Sequence, residues 1–163
     1  MIDKYENKDF KKKIQDHFDK QQFQVNIDDF IPYSISKYLR SPFEYIQNNY
    51  YKNLNQKKML DYCCGSGLNS VFFSQKGANV IGIDISKESI EVARKRFKKN
   101  NLKDYEFFQM DAHSLNFNDN YFDIVVCYKS LLYLNLDTAF KEVNRVLKQD
   151  GKLIILENIG DNF

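Results

Sequence analysis

The sequence predicts an α/β fold, a doubly wound and mainly parallel sheet of five strands in the order 3-2-1-4-5 with helices N-terminal to it. Three observations predict it. From Met59 onward short apolar runs alternate with amphipathic stretches of about ten to fifteen residues, the pattern of parallel strands joined by right-handed helical crossovers. The first run, Met59-Leu60-Asp61-Tyr62, breaks into Gly65-Ser66-Gly67 before an amphipathic segment resumes, which reads as strand, tight turn and helix. Successive runs then end in acids, Val80-Ile81-Gly82-Ile83 on Asp84 and Tyr105 to Met110 on Asp111. In such a sheet the strand ends share one edge, so Asp61, the glycine turn, Asp84 and Asp111 are expected to face one crevice.

The elements follow in order. Residues 1–24 are charged and Gln-rich, with Phe10, Ile14 and Phe18 spaced as on a marginal amphipathic helix. Ser41-Pro42-Phe43-Glu44 is a capping box with proline at the first helical position, and predicts a helix from Pro42 to about Lys52. Phe43, Ile46 and Tyr50 would form its packing face. Residues 1–56 are therefore expected to form a helical lid or cap on a core of residues 57–163, all one domain. In that core the first helix runs from Gly67 or Leu68 to Lys76 and stops at Gly77. The second starts behind Ser86 as N-cap and turns Ile90, Ala93 and Phe97 inward. After the fourth strand, Phe122 to Cys127, a helix from Asp137 to Lys148 carries Phe140, Val143 and Val146-Leu147 on one face. It ends in the turn Gln149-Asp150-Gly151, and Lys152 to Glu157 forms the fifth strand.

Composition narrows the classes of function. The 163 residues are 43% hydrophobic, enough for a substantial core, and the net charge of +2 demands no polyanionic partner. Nucleic acid is not an expected ligand: Phe97 within Arg94-Lys95-Arg96-Phe97-Lys98-Lys99 faces the sheet, and the charges coat the outer face of a helix. The chain has no apolar run of membrane-spanning length and no apolar core at Met1 to Glu6, so a cytoplasmic protein is expected. Cys63, Cys64 and Cys127 lie in or beside apolar strands and read as buried thiols rather than a disulfide framework. His17 and His113 have no partners at ligand spacing, so no metal site is predicted, and His113 reads as a surface histidine.

Leu60-Asp61-Tyr62-Cys63-Cys64-Gly65-Ser66-Gly67, Val80 to Ser86, Met110-Asp111-Ala112, and Phe122 to Cys127 followed by Leu131-Leu132-Tyr133-Leu134 form an ordered series. In this series the chain resembles the Rossmann-like S-adenosylmethionine-dependent methyltransferases, of the small-molecule type that acts on ubiquinone and menaquinone precursors. The resemblance runs from Met59 to about Glu157. It implies S-adenosyl-L-methionine as cofactor, with its methionine portion over Asp61, Cys63, Gly65 and Gly67, its ribose at Asp84 and Ile85, and its adenine at Asp111 and Ala112. Cys127 and Lys129, at the fourth strand end, would meet the cofactor's amino group and the substrate. Bland readings stand beside these: Asp61 as a tie for backbone amides, and Asp84 as a cap of the second helix, a task Ser86 already performs. Tyr33, Tyr133 and His17 are the candidates for a general base, needed only for a nucleophile protonated at working pH.

The expected reaction is methyl transfer to an O, N or C nucleophile of a small molecule. The rival is a cofactor-binding module without activity of its own, partner of a complete enzyme, because the resembled family usually continues past the fifth strand with a helix and a strand pair. A third reading, an NAD-dependent oxidoreductase, is disfavoured by Ser70 where a dinucleotide fingerprint has its third glycine. Leu153-Ile154-Ile155-Leu156 would be an apolar terminal strand, expected to be covered by a second copy of the chain, by the N-terminal segment or by a partner protein.

Overall fold

The computed structural model describes residues 7–22, 45–46 and 49–157. Helix α1 (Lys8–Gln22) precedes an alternating series: β1 (Lys58–Tyr62), α2 (Leu68–Gln75), β2 (Asn79–Asp84), α3 (Lys87–Lys99), β3 (Tyr105–Gln109), β4 (Phe122–Tyr128), α4 (Leu136–Val146) and β5 (Leu147–Leu156). All five strands run parallel in the order β3-β2-β1-β4-β5, as expected. Leu60 of the central strand pairs with Ile81 on one side and Val125 on the other.

Helices cover both faces of this sheet, which is why its middle strands are continuous apolar runs rather than alternating ones. Leu60, Tyr62, Ile83 and Val125 pack with Val143 and Val146 of α4 on one face. Met59, Val80 and Val126 pack with Phe73 of α2 and with Tyr51 on the other. A third cluster, Val71, Ile90, Ala93, Phe97 and Phe107, joins α2, α3 and β3. Each such aliphatic or aromatic side chain contributes about 1.5–3 kcal/mol on burial. The caps fall where they were expected: Ser86 accepts the Ser89 amide at the start of α3, and Gly77, at φ +89°, follows α2.

Three expectations need correction. The turn Gln149-Asp150-Gly151 is instead part of a long bulge inside β5. Phe122 pairs with Leu147 and Ile124 with Lys152, so two steps along β4 match five along β5. The cause lies at the end of α4, where the amides of Asn120 and Tyr121 bond the carbonyls of Arg145 and Val146 and draw the chain into the sheet without a turn. Helix α4 starts at Leu136, capped by Asn135, which puts Ala139 rather than Phe140 in its fully buried face. Of the helix expected over residues 42–52, Phe43 lies outside the described residues, Ile46 is buried, and Tyr50 is exposed while its neighbour Tyr51 is buried. The Tyr51 hydroxyl has a specific destination, the Tyr128 hydroxyl at 2.7 Å. At the sheet edge, of the fifth-strand run only Ile154 is buried; Leu153 and Ile155 are 38% and 37% exposed in the single chain.

Candidate functional site

A cavity of about 600 Å³ opens at the C-terminal ends of β1, β2, β3 and β4, the position a parallel doubly wound sheet reserves for ligands. The turn after β1 forms its floor. Cys63, Gly65 and Gly67 all take positive φ, at 60°, 52° and 70°. For Cys63, a residue with a Cβ, that backbone costs about 1–2 kcal/mol, and the surrounding bonds hold it. The Cys64 amide donates to the Ile83 carbonyl at 2.8 Å, and the Gly65 amide donates to Asp84 Oδ2 at 2.8 Å. Asp84 Oδ1 accepts the Ser86 amide at 2.9 Å. Asp84 thus ties the turn to the entry of α3.

Two buried carboxylates border the cavity here. Burial, aided by the charge of Asp84, pushes Asp61 up to about 7 against a hydrogen bond from Ser70 that lowers it. Burial raises Asp84 as well, against the amides of Ser86 and Gly65. Among the described residues neither has a cationic partner. Asn69, on the same wall, keeps its Oδ1 buried with no hydrogen-bond partner. Buried acids without a counter-charge are costly.

The opposite end is organised around Asp111. Its Oδ1 accepts from His113 Nδ1 at 2.8 Å and from the His113 amide at 2.9 Å, and its Oδ2 pairs with Lys11 of α1. Burial pushes Asp111 up, but the bonds from His113 and Lys11 outweigh it and hold the carboxyl well below the usual range. His113 is therefore not a surface histidine; its side chain is only 13% exposed. After β4 the chain turns through Lys129, at φ 53°, into a 3₁₀ turn, Leu131–Tyr133. Tyr133 meets Phe18 of α1 edge to face at 5.0 Å.

Of the residues singled out in the sequence, Asp61, Cys63, Gly65, Asp84, Ile85, Asp111, Ala112, Lys129 and Tyr133 line this one cavity. Gly67 and Cys127 do not. Cys127 is buried in the core, and Gly67 serves packing, because a Cβ on it would lie 2.8 Å from the Ala93 Cβ. His17 sits on the exposed side of α1, bonded to Gln21, and Tyr33 lies outside the described residues. Cys63 and Cys64 are half-buried rather than fully enclosed, and burial holds both thiols well above their ordinary range. Sequence reasoning missed Lys11 and Tyr128 as cavity residues. Phe10, Ile14 and Phe18 also line it, and their spacing was the available signal.

The glycines make a testable contrast. At Gly65 an added Cβ meets nothing within 4 Å, whereas at Gly67 it collides with α3. Gly65→Ala should cost only the backbone strain, about 1–2 kcal/mol, and Gly67→Ala a further 1–3 kcal/mol or about that from overpacking. Urea denaturation of both variants measures this; equal losses would refute the division of labour between them.

The fold is that of the Rossmann-like S-adenosylmethionine-dependent methyltransferases. A family model described as methyltransferase domain matches residues 60–155, and the chain belongs to that family, whose cofactor is S-adenosylmethionine. Its sequence is 38% identical over 119 residues to a demethylmenaquinone methyltransferase of Lactobacillus johnsonii, covering 68% of this chain and 49% of that protein. It is 35% identical over 104 residues to the uncharacterized methyltransferase YcgJ of Bacillus subtilis, covering 63% and 41%. Among solved structures, the PH0226 protein of Pyrococcus horikoshii superimposes with a TM-score of 0.67 at 33% identity, covering 80% of this chain and 61% of the other. The chain spans less than half the length of the two curated relatives. Among the described residues no helix is long and apolar enough to cross a membrane, and no group of side chains could hold a metal ion.

Proposed function

We propose that the chain transfers the methyl group of S-adenosylmethionine to an O, N or C nucleophile of a small apolar molecule. The observation that carries this reading is the pair of buried carboxylates without counter-charges among the described residues, Asp61 and Asp84, beside the open Cβ space of Gly65. In it Asp61, with the Asn69 Oδ1, holds the ligand's ammonium, Asp84 receives the ribose hydroxyls and Asp111 the adenine amino group. When bound, S-adenosylmethionine supplies an activated methyl group and a neutral leaving sulfur. What remains for the chain is to align the nucleophile and exclude water. Helix α1 does this as a lid, laying Phe10, Ile14 and Phe18 over the cavity and anchoring Asp19 on Ser86 and Lys11 on Asp111.

The acceptor side favours an apolar and flat molecule, since Phe18 and Tyr133 present aromatic rings there and Met110 an adaptable thioether. The relatives named for demethylmenaquinone and for ubiquinone biosynthesis fit this class. Among the described residues Tyr133 is the general-base candidate at the cavity; the Tyr128 hydroxyl is committed to Tyr51. A cytoplasmic location, and coverage of the β5 edge by a second copy, by the N-terminal segment or by a partner protein, belong to the same proposal. The alternative is a cofactor-binding module without its own activity, partner of a complete enzyme. Calorimetric titration with S-adenosylhomocysteine and with NAD tests the ligand: the first is expected to bind and the second not. A methyl-transfer assay over phenolic and quinol acceptors then separates enzyme from module; no turnover with any acceptor supports the module.

A further inference from the structure

His113 is placed between two structures that the proposed function treats separately. On one side its Nδ1 lies 2.8 Å from Asp111 Oδ1; on the other its Nε2 lies 2.9 Å from the backbone nitrogen of Asn135. A backbone N–H can only donate, so Nε2 must be the unprotonated nitrogen and the ring hydrogen must sit on Nδ1, donated to the carboxylate. The two bonds fix the tautomer together. Asn135 is the N-cap of α4 and directly follows Leu134, so Nε2 holds the end of the loop that brings Lys129 and Tyr133 to the cavity.

We infer that His113 is a positioning residue that couples the adenine end of the cavity to the loop walling the acceptor side, an inference that rests on reading the cavity as a cofactor site. With Oδ1 of Asp111 taken by the His113 ring and amide, the carboxylate is held in one rotation and Oδ2 is the oxygen turned to other partners, where Lys11 now sits. The loop end is held by the same ring. Helix α1 meets both ends in turn, through Lys11 on Asp111 and Phe18 on Tyr133. A shift of the ring therefore moves the adenine acceptor and the acceptor wall together.

Two substitutions cut the two bonds one at a time. His113→Asn places an amide nitrogen near the position of Nδ1, keeping the bond to Asp111 and losing that to Asn135. His113→Gln reaches the position of Nε2 with its carbonyl oxygen, keeping the Asn135 amide and losing the ring's bond to Asp111, while the backbone amide of residue 113 still donates there. Calorimetry with S-adenosylhomocysteine should find His113→Asn within about twofold of the unsubstituted chain and His113→Gln weaker by about tenfold. Hydrogen exchange at the Asn135 amide should show the reverse order, faster in His113→Asn and unchanged in His113→Gln. A ring that merely fills space would shift both readouts alike in both variants, and that result overturns the assignment. The imidazole ¹⁵N spectrum of the unsubstituted chain needs no variant to fold: a hydrogen on Nδ1 is expected, and one on Nε2 overturns it. Failure of the unsubstituted chain to bind S-adenosylhomocysteine would instead remove the cofactor reading, and this inference with it.

Discussion

Asp84→Ala is expected to weaken S-adenosylhomocysteine binding by about 10- to 100-fold and to destabilise the fold in the same variant. Both effects come from one side chain with two tasks. In the proposed reading its carboxylate receives the ribose hydroxyls, and charged acceptors of that kind contribute about 1.5–3 kcal/mol. In the fold its two oxygens already accept the amides of Gly65 and Ser86. Alanine leaves those amides without acceptors at the turn and at the start of α3, at about 1–3 kcal/mol for each one left unsatisfied. Removing a buried carboxylate returns part of that loss, because burial disfavours its charge. Asp84→Asn separates the tasks: it keeps the shape and one acceptor oxygen while its NH2 faces the other amide, so about half of the stability loss should be restored while binding still falls. Urea denaturation and calorimetry on the two variants read the two effects independently. Unchanged affinity in a destabilised Asp84→Ala would make Asp84 a brace of the turn and end its assignment to ribose.

That double duty marks what was legible in the sequence. Acids at strand ends can be read from pattern, and so can the shared edge they occupy, because parallel topology places the ends together whatever the side chains do. The bonds they make in the absence of ligand cannot be read that way. Nothing in Asp84's spacing from Gly65 shows that its carboxylate bonds the Gly65 amide. Gly67 illustrates the opposite error: the motif suggested room for a ligand, while the structure needs room for Ala93, a residue 26 positions away that only tertiary packing brings there. The β5 boundary failed for a similar reason. Gln149-Asp150-Gly151 has good turn chemistry, but backbone bonds from Asn120 and Tyr121 to the end of α4 override local preference. His113 was misread because its partners, Asp111 and the Asn135 amide, include one 22 residues away. Helix α1 was legible as an amphipathic segment, while its place over the cavity depends on contacts of Lys11 and Asp19 with distant residues.

Asp61 sets the pH dependence. Its ordinary value of 3.8 is pushed up to about 7 in the folded chain, chiefly by burial. Between those two values the folded state keeps a proton that the unfolded state releases, so this group's contribution to stability falls as pH rises from about 4 to about 7 and stays low above. Asp61→Asn, uncharged at every pH, should remove that fall. The difference between the two stability curves isolates Asp61 from every other titrating group. The ligand reverses the preference. An ammonium placed beside Asp61 favours the ionised carboxylate, so S-adenosylhomocysteine should bind more tightly as pH rises and should expel a proton when it binds below pH 7 or about that. Between pH 6 and 7.5 the ionised fraction of a group with a pKa near 7 rises by about eightfold, and affinity should follow it to within that limit. Titrations in two buffers of contrasting ionisation heat count the proton directly. Asp61→Asn should bind weakly with no proton release and no pH dependence from this site. If instead affinity in the unsubstituted chain is flat across this range and no proton leaves, the ammonium does not lie against Asp61, and the bond from Ser70 is then the carboxylate's own structural purpose.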